Sequence, residues 1–229
     1  LSSLGIVHVE HQKLPKGEDI SRLRDDLKLI NSAIRVISEA EFLEQNINQQ
    51  EEIPEDWRFV AKHIVGLRKR LEQLKEYSGT LKARIASWQR WGDFDPEEIE
   101  KLRQKGIYIR LYEIPAKQLK DLPQGVIVKK IFTSAGVVHC VVISRDKSDI
   151  HLREVPLPKL GLEKMRTRLY EDGRMIELIQ DDICKYLTYV KGLEKVKRQL
   201  GGKLGLSEAI NGMADSDSIV YLRGYIPFD

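Results

Sequence analysis

Residues 57–88, WRFVAKHIVGLRKRLEQLKEYSGTLKARIASW, decide the fold of this 229-residue chain. The stretch contains no proline, and its apolar residues recur at steps that alternate between three and four, which is the a/d repeat of a coiled-coil helix. The predicted seam consists of Trp57, Val60, Ile64, Leu67, Leu71, Leu74, Ser78, Leu81, Ile85 and Trp88. A helix of this length would be roughly 48 Å long at about 1.5 Å per residue. It therefore needs partner helices along its seam.

A first partner helix is predicted upstream, from Asp19 as its N-cap to about Ile47. Its seam residues follow the same steps: Ile20, Leu23, Leu27, Ile30, Ile34 and Ile37. A polar, turn-like segment, Asn46–Pro54, separates it from the central helix. We therefore expect the two helices to form an antiparallel hairpin.

A second partner helix is predicted downstream, from Leu160 to about Leu204. Its seam residues are Leu162, Met165, Leu169, Ile176, Ile179, Ile183, Val190 and Leu193, with Asp172 and Tyr186 at two of the steps. Gly201, Gly202 and Gly205 indicate where this helix ends.

Between the second and third helices the pattern changes to that of an α+β lobe. Asp95 as N-cap, Pro96 at the first helical position and Glu98 as the partner in a capping box predict a short helix that ends at Gly106. A second short helix is predicted near residues 115–121. Strands are predicted over residues 107–112, 126–132, 137–143 and 150–155, with Thr133–Gly136 as a four-residue hairpin loop.

Strands are also predicted near both ends of the chain. One covers Ile6–Glu10, after a helix end at Gly5, and the other covers Ser218–Ile226, after a loop at Asp215–Ser218. We expect these strands to pair in a second lobe. The predicted fold class is therefore α+β, with two small α/β lobes joined by a long antiparallel helical bundle in a dumbbell. The predicted domains are residues 1–17 with 206–229, the helical residues 18–91 with 159–205, and the lobe 92–158.

The composition is that of a protein built largely from solvated helices, without the signs of a disulfide-bonded or membrane-spanning protein. Charged residues make up 32% and aromatic residues 7%, which is typical of long solvated helices, and the net charge of +3 comes from interleaved acids and bases. Cys140 and Cys184 have no CxxC partner, so both are expected to be reduced packing residues. No apolar run approaches the ~18 residues of a membrane span, and no signal peptide is recognised. Because the chain begins at Leu1 inside an element, we expect it to be part of a longer protein.

No residue is predicted to be catalytic, to bind a cofactor or to bind a metal. His8 and His11 flank Glu10 but would project to opposite sides of a strand, and His63, His139 and His151 are isolated. Residues 201–205, GGKLG, lack the spacing of a phosphate-binding loop, and Lys129-Lys130 is too short a basic run for nucleic acid. Trp88, Trp91 and Phe94 are expected to pack the junction between helix and lobe; the alternative is an aromatic platform for a ligand.

Four short stretches, in order and spacing, resemble the cytoplasmic N-terminal half of the large stator subunit of V/A-type rotary ATPases, called subunit I or subunit a. They are Leu4–Glu10, Trp91–Pro96 with Gly106-Ile107, Val155–Pro158 and Leu222–Pro227. The resemblance implies two α/β lobes at the ends of a long, bent helical bundle. It does not extend to the ion-translocating membrane domain of that family, so we expect no ion transport by this chain itself. The first strand and most of the first helix of the family's terminal lobe are expected to precede Leu1, and the rest of that lobe to follow Asp229.

The resemblance also implies a function: a non-catalytic stator arm that resists torque on the cytoplasmic face of the membrane. It implies a peripheral-stalk heterodimer of the E/G type as partner of the distal lobe, the central-stalk collar or membrane sector as partner of the proximal lobe, and no small-molecule substrate. An alternative from the residues is a coiled-coil arm that binds nucleic acid or another macromolecule. An enzyme would need a convergent set of titratable groups, and the sequence shows none.

Overall fold

The computed structural model describes residues 8–10, 17–41, 53–145, 150, 152–211, 214–216, 219–221 and 223–225. The chain divides into two compact units, residues 1–72 with 177–229 and residues 73–176. Predictions for Gly5, His11, His151 and most of Asn46–Pro54 lie outside the described residues. No helix among the described residues is both long and apolar enough to cross a lipid bilayer.

The first unit contains helix α1 (Glu18–Glu41), whose apolar face forms its core. Ile20, Ile30 and Ile37 are almost fully buried, as the predicted seam requires, and Ala33 and Val36 are buried with them. The prediction of Asp19 as N-cap is wrong. The helix begins at Glu18, and the Ser21 amide donates to the Gly17 carbonyl at 3.1 Å. Asp19 lies in the first turn, where its negative charge interacts favourably with the positive end of the helix dipole.

Helix α1 packs most closely against helix α5 (Val190–Asn211). The buried residues of α5 include Val190, Leu193, Val196 and Leu200. The prediction that the helix ends among Gly201, Gly202 and Gly205 is wrong, because α5 continues through all three to Asn211. Each glycine costs about 1 kcal/mol relative to alanine, and the burial of the apolar face on α1 offsets that cost.

Helix α2 (Trp57–Gln89) confirms the single long helix predicted over residues 57–88. The Phe59 amide donates to Asp56 Oδ1 at 3.0 Å, so Asp56 is the N-cap. Within the first unit, the buried residues of α2 are Ala61, Ile64 and Leu71. Its residues 57–72 belong to the first unit and its residues 73–89 to the second.

Two ion pairs show that α1 and α2 run in the same direction, so the predicted antiparallel hairpin is wrong. Arg58 Nη2 lies 2.6 Å from Asp26 Oδ2, and Arg68 Nη1 lies 2.7 Å from Glu39 Oε2. Both sequence numbers increase from the first pair to the second. In an antiparallel pair the second contact would require side chains to span more than about 30 Å at 1.5 Å per residue.

The third predicted helix is interrupted. Helix α4 covers Leu162–Lys185, a 3₁₀ turn covers Tyr186–Tyr189, and α5 follows directly. The ring of Tyr186, which takes a seam position in the sequence, lies 5.8 Å from the ring of His63 on α2. The single continuous helix predicted over Leu160–Leu204 is therefore wrong at this turn.

The terminal strands pair as expected. Strand β1 (His8–Glu10) is antiparallel to β8 (Arg223–Tyr225), with Val9 opposite Gly224. The single strand predicted over Ser218–Ile226 is in fact two, because β7 (Ile219–Tyr221) pairs with β6 (Ala214–Ser216). Asp215 and Ser216 therefore lie in a strand and not in the predicted loop.

The second unit contains the four-stranded lobe. After helix α3 (Pro96–Gln104) come β2 (Tyr108–Pro115), a 3₁₀ helix (Ala116–Asp121), β3 (Ile127–Ser134), β4 (Val137–Ser144) and β5 (Glu154–Val155). The sheet has the order β3-β4-β2-β5, and the paired strands are antiparallel. One face forms the lobe core of Tyr112, Ile114, Val138, Cys140 and Val142, against which Leu119, Leu122, Val126 and Val128 pack.

Two predictions for this lobe need correction. The hairpin loop has two residues and not four, because Ser134 pairs with Val137. Ala135 (φ 48°) and Gly136 (φ 78°) form a turn of the I′ type, whose twist matches that of the strands. The edge strand predicted over residues 150–155 is only Glu154–Val155, which pairs with Tyr112 and Leu111 of β2.

Candidate interaction surface of the four-stranded lobe

Five rings connect the end of α2 to the sheet and form what we call the aromatic joint: Trp88, Trp91, Phe94, Phe132 and His139. Trp91 is only 8% exposed. Its ring centroid lies 5.6 Å from that of Phe132 and 5.4 Å from that of His139, both edge-on. Trp88 lies 5.9 Å from Phe94 in a T-shaped contact. These are favourable aromatic geometries, and they confirm that the tryptophans pack a junction.

A β-bulge places Phe132 in this joint. The register between β3 and β4 shifts between Lys130 and Phe132, so that Phe132 lies opposite His139. The two rings stack with centroids 4.0 Å apart and planes inclined by 13°. The Arg90 guanidinium lies over the other face of Phe132 at 4.3 Å. The extra residue therefore brings an aromatic ring to the sheet face that contacts Trp91.

His139, which looked isolated in the sequence, has a carboxylate neighbour across the sheet. Glu113 of β2 is its register partner, and Glu113 Oε1 lies 3.7 Å from His139 Nδ1. This distance is too long for a hydrogen bond, and Nδ1 is buried without a partner. Because aromatic rings cover the imidazole, the arrangement suits packing and does not resemble an acid–base site. Only the sheet register brings this pair together, so the sequence carries no signal for it.

The entry into α3 confirms the predicted helix start at Asp95. The Glu97 amide donates to Asp95 Oδ1 at 2.9 Å, and Pro96 occupies the first turn. The capping box is not completed as predicted: the Glu98 carboxylate accepts from Lys101 Nζ at 2.6 Å. That pairing raises the pKa of Lys101.

The start of α4 packs against the same entry. A Cβ atom at Gly161 would lie 3.1 Å from the Phe94 carbonyl oxygen, so any larger residue would push the two segments apart. Lys164 Nζ lies 2.5 Å from Glu97 Oε1. The end of α2, the start of α3 and the start of α4 therefore meet at one place in this unit.

One edge of the sheet is left accessible, and it is the candidate interaction surface. Among the described residues, strand β3 pairs only with β4. We call its exposed residues Ile127, Lys129 and Lys130 the β3 edge surface; the Ile127 residue is 66% exposed. An open groove lined by Ile107, Gly125, Ile143 and neighbouring residues lies beside it. Edge lysines and a bulge discourage the addition of another strand, so a partner would contact side chains here.

The expectation that no residue binds a metal or a cofactor stays a prediction. The residues that the structure describes contain no group of three or more side chains suited to hold a metal ion. His63 is exposed and stacks on Phe59 at 6.3 Å. Residues 201–205 are helical and form no phosphate-binding loop.

Neither Cys140 nor Cys184 forms a disulfide, as expected. Cys140 lies in the lobe core, and burial raises the pKa of its thiol although Lys130 acts in the opposite direction. A buried thiol with a raised pKa is poorly reactive, which fits a packing role.

Comparison with known proteins agrees with the resemblance that the sequence motifs indicated. No model of a known protein family matches the chain. The chain is 22% identical to V-type ATP synthase subunit I 1 of Treponema pallidum (strain Nichols) over 255 aligned positions, which cover 99% of the chain. The resemblance to subunit I is confirmed. The chain spans 39% of the length of that relative.

Among solved structures, the chain is similar to the cytoplasmic N-terminal domain of subunit I, homolog of subunit a, of V-ATPase. The TM-score is 0.38 and the identity 13%, with 99% of this chain and 87% of the other covered.

The stretches that resemble subunit I lie at boundaries between elements. Trp91–Pro96 connects α2 to α3, and Gly106, with φ 79°, follows the end of α3. Val155–Pro158 leads from β5 to α4. The described parts of the two terminal stretches are β1 and β8, which pair with each other.

Proposed function

We propose that this chain is a non-catalytic stator arm of a V/A-type rotary ATPase. In this role it links peripheral-stalk subunits to the membrane sector on the cytoplasmic face and resists torque during ATP-coupled transport of hydrogen or other ions. The similarity to subunit I along 99% of the chain carries the proposal. The chain itself has no active site in this proposal; catalysis and ion movement belong to other parts of the complex.

The packing of the first unit supports a mechanical role. An arm that transmits force needs helices that cannot slide past one another. Ion pairs connect α1 to α2 at two levels, and Arg24 Nη2 of α1 lies 2.8 Å from Glu208 Oε1 of α5. The hydrogen bond to Asp26 raises the pKa of Arg58, which favours the charged form of this side chain in the pair. Together with the buried seam, these contacts oppose sliding.

We assign the proposed partners to the two lobes. The distal lobe, residues 92–158, would bind the peripheral-stalk heterodimer of the E/G type, and the β3 edge surface offers exposed apolar and basic side chains for this contact. The terminal lobe, residues 1–17 with 206–229, would lie near the central-stalk collar or the membrane sector, beside the parent protein's own membrane domain.

Calorimetric titration of the whole chain with the cognate peripheral-stalk heterodimer tests the first assignment. Ile127→Glu should weaken binding at least about tenfold, which corresponds to about 1.4 kcal/mol. Phe59→Glu is the matched control, because Phe59 is 67% exposed against 66% for Ile127 and lies in the other unit. No detectable binding of the unmodified chain at high micromolar concentration would contradict the proposal.

A second candidate function is a coiled-coil arm that binds an acidic macromolecule such as nucleic acid. One observation favours it: Lys191, Lys195 and Arg198 recur on one exposed face of α5, which also carries Glu194, and among the described residues none of the three cations forms an ion pair. Binding to RNA or DNA should then fall steeply with salt, and the triple substitution to glutamate should abolish it. Indifference to nucleic acid at low salt removes this candidate.

The dumbbell shape and the domain boundaries stay predictions from the sequence. Small-angle X-ray scattering tests them, because a compact chain of this length would have a radius of gyration of about 17 Å. A dumbbell requires a clearly larger value.

A further inference from the structure

Two polar residues interrupt otherwise apolar helix seams in the second unit. Ser78 of α2 is 6% exposed and Asp172 of α4 is 3% exposed. Ser78 Oγ and Asp172 Oδ2 are both buried without a hydrogen-bond partner. The other carboxylate oxygen, Oδ1, lies 3.1 Å from Arg168 Nε. Buried polar atoms without partners destabilise the packing around them.

The two residues lie at equal distances from the place where their helices meet. Trp88 contacts Phe94, and the backbone of Phe94 abuts Gly161 at the start of α4. Ser78 precedes Trp88 by ten residues, and Asp172 follows Leu162 by ten residues. Each is therefore about 15 Å along its helix from this meeting point.

The remaining seam residues agree with one antiparallel register. Matching Trp88 with Leu162 also matches Ile85 with Met165, Leu81 with Leu169 and Leu74 with Ile176. In this register Ser78 falls opposite Asp172, and every other layer of the unit is apolar on both helices. This register, which follows from the spacing of the seam residues, would place both unsatisfied atoms in a single layer.

Each of these polar residues is followed by a glycine inside its helix. Gly79 and Gly173 have no atom within 4 Å of an added Cβ, so packing does not require glycine at either position. Glycine weakens a helix, and neighbouring serine and glycine residues are a common site of helix bending. One layer therefore combines two unsatisfied polar groups with two helix-weakening residues.

We propose that this layer, Ser78-Gly79 with Asp172-Gly173, is a soft point at which α2 and α4 separate or bend more readily than elsewhere. Local opening would bring Ser78 Oγ and Asp172 Oδ2 to water, which satisfies them, and the glycines reduce the helical order that opposes it. Opening an apolar layer exposes apolar side chains to water and satisfies no polar atom in return. The inference concerns the chain itself and does not depend on the proposed function.

Amide hydrogen exchange of the whole chain tests the proposal. Residues 76–82 and 170–176 should exchange about tenfold faster than residues 64–70 of α2 and 178–183 of α4. Equal protection in these segments overturns the soft point.

Glycine substitutions separate this effect from general helix stability. Gly79→Ala with Gly173→Ala should slow exchange in the layer and raise Tm by about 2–4 °C per substitution. Gly66→Ala is the matched control, because Gly66 also lies in α2 with no atom within 4 Å of an added Cβ. It should slow exchange only near residue 66. The proposal is wrong if the control slows exchange in the layer equally.

Cysteine cross-linking tests the register. Leu81→Cys with Leu169→Cys should form a disulfide on oxidation, whereas Leu81→Cys with Leu162→Cys, which is displaced by one heptad, should not. The reverse result overturns the single layer. Ser78→Leu with Asp172→Leu should slow exchange in the layer as the alanines do, and faster exchange there would contradict the cost assigned to the polar atoms.

Discussion

The helical core of the first unit and the sheet lobe of the second are specified in different ways. The core around Ile30 and Ile37 depends on the spacing of apolar residues, and each side chain there is buried by neighbouring helices. The lobe depends on local backbone geometry: a two-residue turn at Ala135-Gly136, a bulge before Phe132 and a close approach at Gly161. Side-chain volume should therefore dominate stability in the core, and backbone conformation should matter more in the lobe.

The largest effect on stability is expected at the aromatic joint, where the end of helix α2 packs against the sheet. Trp91→Ala removes the contacts with Phe132 and His139 and should lower the free energy of unfolding by about 4 kcal/mol. Urea denaturation measures the loss, and hydrogen exchange should confine it to residues 73–176. Trp88→Phe is the control, because Trp88 is only half-buried and keeps an aromatic ring. A loss below 1 kcal/mol would show that the joint does not hold the lobe.

A smaller loss is expected in the helical core. Ile37→Ala leaves a cavity at a fully buried position and should cost about 3 kcal/mol in urea denaturation. Ile34→Ala, at a half-buried position of the same helix, should cost less than half as much. Equal costs would mean that the seam does not govern this core.

A gain in stability is expected when a strained backbone position in the lobe is relieved. Ala135 has a φ of 48°, which is unfavourable for a residue with a Cβ, and Ala135→Gly should stabilise the lobe by about 1 kcal/mol. Thermal unfolding measures the change. Ala116→Gly, outside the positive-φ region, should destabilise, and the comparison fails if both substitutions act with the same sign.

The smallest effect is expected at the ion pair between α1 and α2. A double-mutant cycle on Asp26 and Arg58 should give a coupling of about 0.5 kcal/mol, because Arg58 is half-exposed and solvent screens the pair. The coupling should fall at high salt. A cycle on Glu18 and Arg22, both more exposed, should give less. Zero coupling at low salt would remove this ion pair from the contacts that align the helices.

The same contrast explains what could be predicted from the sequence. The spacing of apolar residues predicted α2 and the seam of α1 correctly. A helix needs this spacing to bury one face, whichever element packs against it. It could not reveal that α1 and α2 are parallel, since a seam has no direction and the ion pairs that show it join distant residues. The glycines of α5 suggested a helix end because tertiary packing, which outweighs their cost, is invisible in local sequence.

The aromatic joint was the least predictable part. Asp95 and Pro96 announced a helix start through local chemistry, and the tryptophans near them indicated a junction. Nothing local marks the pairing of His139 with Glu113 or the stacking of Phe132, because both depend on sheet register and on one inserted residue. The 3₁₀ turn at Tyr186 likewise has no signal in the spacing around it.

The parallel course of α1 and α2 sets a lower limit on the chain between them. Glu41 ends α1, whereas Arg58, at the start of α2, lies beside Asp26. The connection must therefore return by about 23 Å, which requires at least about seven residues even when fully extended. Residues 42–56 exceed this minimum, but a turn of two to five residues, sufficient for an antiparallel hairpin, would not. Progressive deletion within this connection should therefore be tolerated down to a sharp length threshold, below which α2 cannot occupy its place beside α1.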